Sequence, residues 1–314
     1  MRKLLLLLIV FVSVESLMSQ SNIRMTNYWD NAYQVNPASV MWRKYSSEFS
    51  LAYRNQWVGV DGAPKTILGT AVIYVDAINT QFGLKLIQDK IGYTSLTDIS
   101  LSYSYVIDFD AWRLNFGLAG TVSTLGYDVS KIESGNIVDP AVSNAIGNKT
   151  KFDSDLGFEA ANQNFRAGLV IQNMFSVFSA SKSNLVYRND NANFLYLLYR
   201  SNTDNLFNFG YGLTGIQNVN IYQFEGSLTT FIKYYNDSDP LQLGISLSTA
   251  KQLGAHAGVY IDKNIKLLYS YDVNFGRLGN YSKGTHELLL RVRLNRSRQW
   301  GHRNYWENNS ENYY

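Results

Sequence analysis

Between Thr97 and Phe109 the chain alternates with a period of two. Ile99, Leu101, Tyr103, Tyr105, Ile107 and Phe109 fall on one side; Asp98, Ser100, Ser102, Ser104 and Asp108 fall on the other. Val106 is the one apolar intruder in the polar set. Successive side chains of a strand point to opposite faces, so this is a strand with one oily and one wet side. A length of about ten residues is what crosses a bilayer at a tilt.

The pattern recurs. Ser47 to Trp57 sets Phe49, Leu51, Tyr53 and Trp57 against Ser50, Arg54 and Gln56. Gln81 to Gln88 sets Phe82, Leu84 and Leu86 against Gly83 and Lys85. Trp112 to Gly126 sets Leu114, Phe116, Leu118, Gly120 and Val122 against Asn115, Gly117 and Thr121. Thr66 to Asp76 is apolar on both faces. Further strands fall at 152–160, 164–174, 192–201, 206–217 and 219–235, and the last four at 241–248, 255–261, 265–275 and 286–294. The total is about fourteen, an even number, as in single-chain bacterial barrels.

Connection lengths test the count. If both termini are periplasmic, even-to-odd links are short turns and odd-to-even links can be long. The links at 77–80, 108–110, 161–163, 202–205, 236–239 and 262–264 are short and rich in Asp and Asn, which tolerate tight-turn dihedrals. The long links 127–151, 175–191 and 276–284 all fall at odd-to-even positions. A soluble β-sandwich alternates as well. Here, however, Tyr, Phe and Trp mark both ends of the oily face, and the wet face holds Ser, Gly, Asn, Asp and Lys with less charge than a solvated sheet carries. The expected fold is an all-β, antiparallel transmembrane barrel over residues 45–295 in the cell outer membrane, with Tyr103 and Tyr105 toward lipid.

Arg2 and Lys3, an apolar run from Leu4 to Val14 and a polar end near Ser19 are the parts of a secretory signal peptide, residues 1–19. Leu17 is larger than usual at the −3 position, but the apolar run is too short for a spanning anchor. Charged residues are 17%, aromatics 14%, Tyr and Gly 23 each, and no Cys is present. The absence of Cys excludes lipoprotein attachment, disulfides and thiolate metal sites. A formal charge of +3 gives no argument for nucleic acid. Past the signal no apolar run is long enough for a transmembrane helix.

Residues 20–44 are aromatic and turn-rich without strand periodicity, which suits a periplasmic or plug-like segment. Residues 296–314 form a C-terminal tail, read either as disordered or as a docking segment through Trp300, Tyr305 and Trp306. The histidines His256, His286 and His302, with Ser246, Ser248 and Ser282 nearby, have no spacing that makes a nucleophile and base. No enzyme, cofactor or metal is expected. By parity Asp272 shares the wet face with Lys266, Ser270 and Asn274, and Glu287 with Arg291 and Arg293. Carboxylates among cations there read either as an ion-pair network bracing the lumen or as a substrate site. Barrel closure makes the first strand the neighbour of the last. Arg54 and Glu287, each opposite its strand's oily set, could therefore pair at the seam.

Asn36-Pro37-Ala38, Arg54-Asn55-Gln56-Trp57, Tyr269-Ser270-Tyr271-Asp272 and Gly284-Thr285-His286-Glu287 occur in order at both ends of the chain. Together they resemble the PorP/SprF family of outer-membrane proteins from the type IX secretion system of the Bacteroidetes. The resemblance implies a non-enzymatic barrel that docks or anchors secreted surface proteins, including gliding adhesins, through the adhesin's C-terminal sorting domain. It implies outer-membrane lipid and other type IX components, periplasmic lipoproteins among them, as partners. It singles out Asn36, Pro37, Arg54, Gln56, Trp57, Asp272, His286 and Glu287. Read without it, Pro37 fixes a turn and Trp57 joins an aromatic belt. The competing reading is a transporter or diffusion channel for small, hydrophobic solutes, which needs an open lumen.

Overall fold

A computed structural model describes residues 25–39, 45–109, 111–127, 149–178, 191–203, 205–218, 221–234 and 238–295. The signal segment 1–19, the tail 296–314 with His302, and residues 20–24 and 40–44 lie outside the described residues. Fourteen antiparallel strands close into one barrel. They are β1 (Tyr45–Asn55), β2 (Lys65–Val75), β3 (Thr80–Ile91), β4 (Thr94–Phe109) and β5 (Trp112–Tyr127). Then come β6 (Lys149–Ala161), β7 (Phe165–Gln172), β8 (Ala192–Arg200), β9 (Phe207–Asn218) and β10 (Ile221–Tyr234). The last are β11 (Ser238–Ser248), β12 (Gln252–Asp262), β13 (Ile265–Asn274) and β14 (Thr285–Asn295). β1 pairs with β14, from Ser47 opposite Leu294 to Asn55 opposite His286, so no strand edge is left open at the seam.

The even-to-odd links, all of them short, lie at one end of the barrel, together with the start of β1 and the end of β14. Their local chemistry explains them. Asn79 closes the β2–β3 turn at φ 49°, a left-handed conformation Asn tolerates. In the β6–β7 turn the Asn162 side chain accepts hydrogen bonds from the N–H groups of Asn164 and Phe165 at 2.9 and 2.8 Å. The strand ends that the long links join lie at the opposite end, together with the short turns 92–93 and 249–251; there a one-turn helix, α1 (Met174–Phe178), is held by Asp153, which accepts from the Phe175 N–H at 2.9 Å.

The outer face is the oily one: Leu101 is 65% exposed, Tyr103 50% and Tyr105 44%, whereas Ser100, Ser102 and Ser104 are buried. With no water in the hydrocarbon layer, a closed barrel satisfies every strand donor and acceptor internally. One boundary is corrected. The sequence pattern carries the first strand through Trp57 in its oily set, but β1 ends at Asn55, and Trp57 sits half-buried in the following turn at φ 50°. A left-handed residue cannot continue the pleat, so the alternation stops two residues earlier.

Residues 25–39 run inside the barrel, and each of them is buried except Trp29, which is half-buried. Three apolar clusters seat them. Met25 packs on Ala52, Leu68, Leu268 and Leu289. Tyr33 packs on Val72, Tyr74 and Val106. Tyr28 and Val35 pack on Val170, Phe194 and Tyr196. Val106, the intruder on the polar side of β4, is therefore an inward residue covered by Tyr33. The two-sided apolar character of β2 has the same cause. Burying a side chain of this size contributes roughly 1.5–3 kcal/mol, so the inner segment stabilises the barrel it fills.

Candidate functional site

The inner segment is tied to the wall by side chains that alternation alone aims inward. Its first anchor is Glu287 on β14. One carboxylate oxygen accepts from the Thr26 N–H at 2.7 Å and from Arg54 Nη1 at 3.0 Å; the other accepts from the N–H and Nδ2 of Asn27 at 3.1 and 3.0 Å. Asp272 on β13 accepts from the Thr26 hydroxyl at 2.5 Å and lies 3.3 Å from Arg54. Arg54 also donates to the Thr26 hydroxyl, and Asn27 Nδ2 donates to Ser270 at 3.0 Å. Arg54 and Glu287 are register partners on β1 and β14, so this ion pair crosses the closing seam. A buried pair of this kind is costly to break because the surviving charge has no water.

A second anchor lies toward the short-turn end. Asp30 Oδ1 is 2.6 Å from Lys266 Nζ and 3.0 Å from Arg291 Nη1, while its Oδ2 accepts from Gln242 Nε2 at 3.0 Å. Arg291 donates to the Asp30 carbonyl as well, at 2.7 Å. Burial pushes the Asp30 carboxyl up, but Lys266, Arg291 and the hydrogen bonds outweigh it and hold the group well below the usual carboxylate range. For Tyr33, burial dominates and pushes its hydroxyl up to about 12, against a hydrogen bond with Ser102 at 2.7 Å.

The Asn36-Pro37-Ala38 turn is the third anchor. Asn36 Oδ1 accepts from the Ala38 N–H at 2.9 Å, shaping the turn, while its Nδ2 donates to Tyr196 at 2.9 Å and to the Phe158 carbonyl at 3.2 Å. Tyr196 donates in turn to Glu159, which pairs with Arg166 at 2.7 Å. The turn lies directly on two wall glycines. A Cβ at Gly157 would fall 2.1 Å from Asn36 Oδ1, and one at Gly117 2.5 Å from the Ala38 nitrogen. Asn115 and Gln81 close the turn, donating to the carbonyls of Ala38 and Ser39 at 2.5 and 2.8 Å.

Of the eight residues singled out in the sequence, the structure brings Arg54, Asp272 and Glu287 together around Thr26 and Asn27. Asn36 and Pro37 are buried in the same inner segment but against the wall of β5, β6 and β8. Gln56 is buried where β1 ends, its N–H donating to the Pro64 carbonyl at 3.0 Å. Trp57 donates its N–H to Thr285 at 3.2 Å, beside the anchor rather than in it. His286 faces outward, its Nδ1 2.6 Å from the Tyr269 hydroxyl and its ring 5.0 Å from that of Tyr271. His256 is buried in the lumen with its ring 4.9 Å from Trp29.

Sequence reasoning passed over Thr26, Asn27, Asp30 and Tyr33, and over the Glu159–Arg166 pair. A signal for them exists. Leu68, Val72, Val106 and Phe194 break the polar inner face where something apolar must cover them.

A comparison with curated proteins gave no match. Among solved structures, the Acinetobacter baumannii outer membrane protein Omp33 shares 12% identity, with 81% of this chain and 100% of that chain covered at a TM-score of 0.45. The Ralstonia pickettii toluene transporter TbuX shares 9%, covering 85% and 93% at a TM-score of 0.47. The CymD monoaromatic hydrocarbon channel shares 9%, covering 84% and 91% at 0.46. The family model described as type IX secretion system membrane protein PorP/SprF matches residues 17–292. A match over that much of the chain places this protein in the outer membrane as a member of the PorP/SprF family of type IX secretion.

Proposed function

We propose that this barrel is a non-enzymatic docking platform that holds secreted surface proteins at the cell surface, with both termini in the periplasm. The observation that carries the reading is the filled lumen: residues 25–39 are hydrogen-bonded or packed against strands around the barrel and act as a plug. A barrel of about fourteen strands admits a loop or a strand but not a folded domain. With the plug seated, it admits less. Docking at the long-loop end needs no conduction. It leaves specificity to the loops and the rim, where a partner gains backbone hydrogen bonds and aromatic pockets. The partner suggested by the family is a large adhesin through its C-terminal sorting domain, with periplasmic type IX components below.

Affinity purification from native outer membrane, read by mass spectrometry, tests this. Enrichment of a large secreted protein is expected, and recovery of the barrel alone sinks the docking reading. A small-solute channel predicts conductance in planar bilayers for the intact chain. The docking reading predicts a closed barrel that conducts only when residues 25–39 are deleted.

A further inference from the structure

The oily outer face is not filled everywhere. On β2 the outward row reads Ile67, Gly69, Ala71, Ile73, so two small residues stand at the middle of an 11-residue strand. Register fixes their neighbours. Gly69 lies between Leu51 of β1 and Leu86 of β3, and Ala71 between Phe49 and Leu84. With Leu290 and Val292 of β14 beyond β1, these side chains enclose a trough of about 350 Å³. A carbon added at Gly69 meets nothing within 4 Å.

Other outward glycines are closed over. A Cβ at Gly120 would touch the Phe152 ring at 3.4 Å, and one at Gly215 the Phe224 ring at 3.3 Å. A cross-strand aromatic laid over a glycine restores the packing that the missing side chain leaves out. At Gly69 the opposite side chains stand apart instead. Gly226 on β10 is bare as well, but large residues adjoin it on every side: Phe224 and Leu228 along its strand, Leu213 and Leu247 across it.

The lining selects the occupant. Ser50 and Thr70 border the trough through their backbones, since both are buried on the inner face, where Thr70 accepts from Asn31 at 3.1 Å. The side chains facing the trough are therefore hydrocarbon, and none can satisfy a headgroup or a polar side chain. Width excludes larger elements. The two flanking strands lie about 9.5 Å apart, two strand spacings, before their Leu and Phe side chains are counted. A helix, about 10–12 Å across, cannot reach the floor. A further strand would leave its backbone groups unpaired in hydrocarbon. A single hydrocarbon chain fits, and the trough is continuous with the lipid-facing belt that supplies one.

We infer that this trough seats an acyl chain of a bilayer phospholipid, beside the seam where β14 meets β1. The gain is contact rather than water release, because the chain exchanges one hydrocarbon surrounding for another. Left empty, the trough would leave its lining atoms without partners on one side. The inference goes beyond docking at the long-loop end, because it assigns a lipid site on the wall itself.

The test uses the full chain in phosphatidylcholine vesicles. They are doped with a phosphatidylcholine that carries a diazirine near the end of one acyl chain, at the mid-wall depth of the trough. Photolysis expels dinitrogen and inserts the carbene into a neighbouring C–H bond, and mass spectrometry of the peptides locates the adduct. Labelling at residues 67–73 and the facing walls is expected to exceed that around Gly226 about threefold, the factor that a handful of extra carbon–carbon contacts supplies. Gly69→Leu and Ala71→Leu each fill the trough and are expected to remove the excess, with folding of each barrel read by its heat-modifiable gel mobility. Equal labelling around the two glycines, or an excess that survives both variants, would overturn the proposal. So would loss of the excess in native outer-membrane vesicles carrying the same probe, because a neighbouring protein's side chain would then hold the trough. Neither secreted-protein capture nor conductance is read, so the outcome is independent of the docking experiment.

Discussion

Glu287→Gln isolates the first anchor. The native carboxylate takes four donors on two oxygens: Thr26 N–H and Arg54 on one, the two nitrogens of Asn27 on the other. Glutamine keeps one acceptor oxygen. If that oxygen stays with Asn27, an NH₂ group confronts the Thr26 N–H and the Arg54 guanidinium, donor against donor. Removing a charged acceptor from a buried bond costs about 1.5–3 kcal/mol, and stripping one partner from a buried ion pair costs about 3–5 kcal/mol. The two figures overlap, since the same oxygen serves both roles. Asp272, 3.3 Å from Arg54, retains part of the compensation, so the expected loss is about 3 kcal/mol. It falls on the seating of residues 25–39, because the backbone rungs of β14 with β1 and β13 do not involve the side chain. The released population should rise about a hundredfold. Hydrogen exchange of the Thr26 and Asn27 amides reads this directly, with strand amides as the internal reference. Adding Arg54→Gln to Glu287→Gln should cost less than Arg54→Gln alone, since Arg54→Gln by itself strands two buried carboxylates, Glu287 and Asp272, whereas the double variant strands Asp272 alone. Unchanged exchange in Glu287→Gln, or strictly additive losses in the cycle, would refute the anchor.

Three further outcomes follow from the same geometry. Gly157→Ala and Gly117→Ala should each lower the melting temperature, at a cost of about 1–3 kcal/mol, because the added methyl meets the Asn36 side chain or the Pro37–Ala38 backbone. Gly69→Ala, with nothing within 4 Å of its added carbon, should be neutral in the same melts. Asp30 is held below its unfolded pKa, so its stabilisation is full above the ordinary carboxylate range and is lost only as pH falls through the depressed native value. Asp30→Asn should thus loosen the inner segment at pH 7 but make no difference in strong acid, as read by limited proteolysis. Tyr33 is shifted the other way, to about 12. Its stabilisation is present below the unfolded value near 10 and is lost as pH rises toward 12, so alkaline release of the segment should be blunted in Tyr33→Phe.

Strand positions, their even number and, Trp57 apart, the faces assigned to the named strand residues were legible from the chain alone, because the period-two signal is local and the bilayer demands it of every strand. β4 reads correctly residue by residue, down to Tyr103 and Tyr105 on the outside. The seam pair of Arg54 and Glu287 followed from closure plus parity. What occupies the lumen was not legible in this way. Thr26 meets Asp272 across 246 residues of sequence, and no periodicity links them. Residues 25–39 carry no strand or amphipathic-helix pattern because they fold as tight turns, with one 3₁₀ turn at Ala32–Gln34, and bond the barrel wall through the polar groups those turns leave over. Only the closed tertiary structure brings that wall around them. It turns Val106, Leu68 and Phe194 from breaks in a pattern into the apolar seats of the inner segment, since an inward apolar side chain is stable only where something covers it.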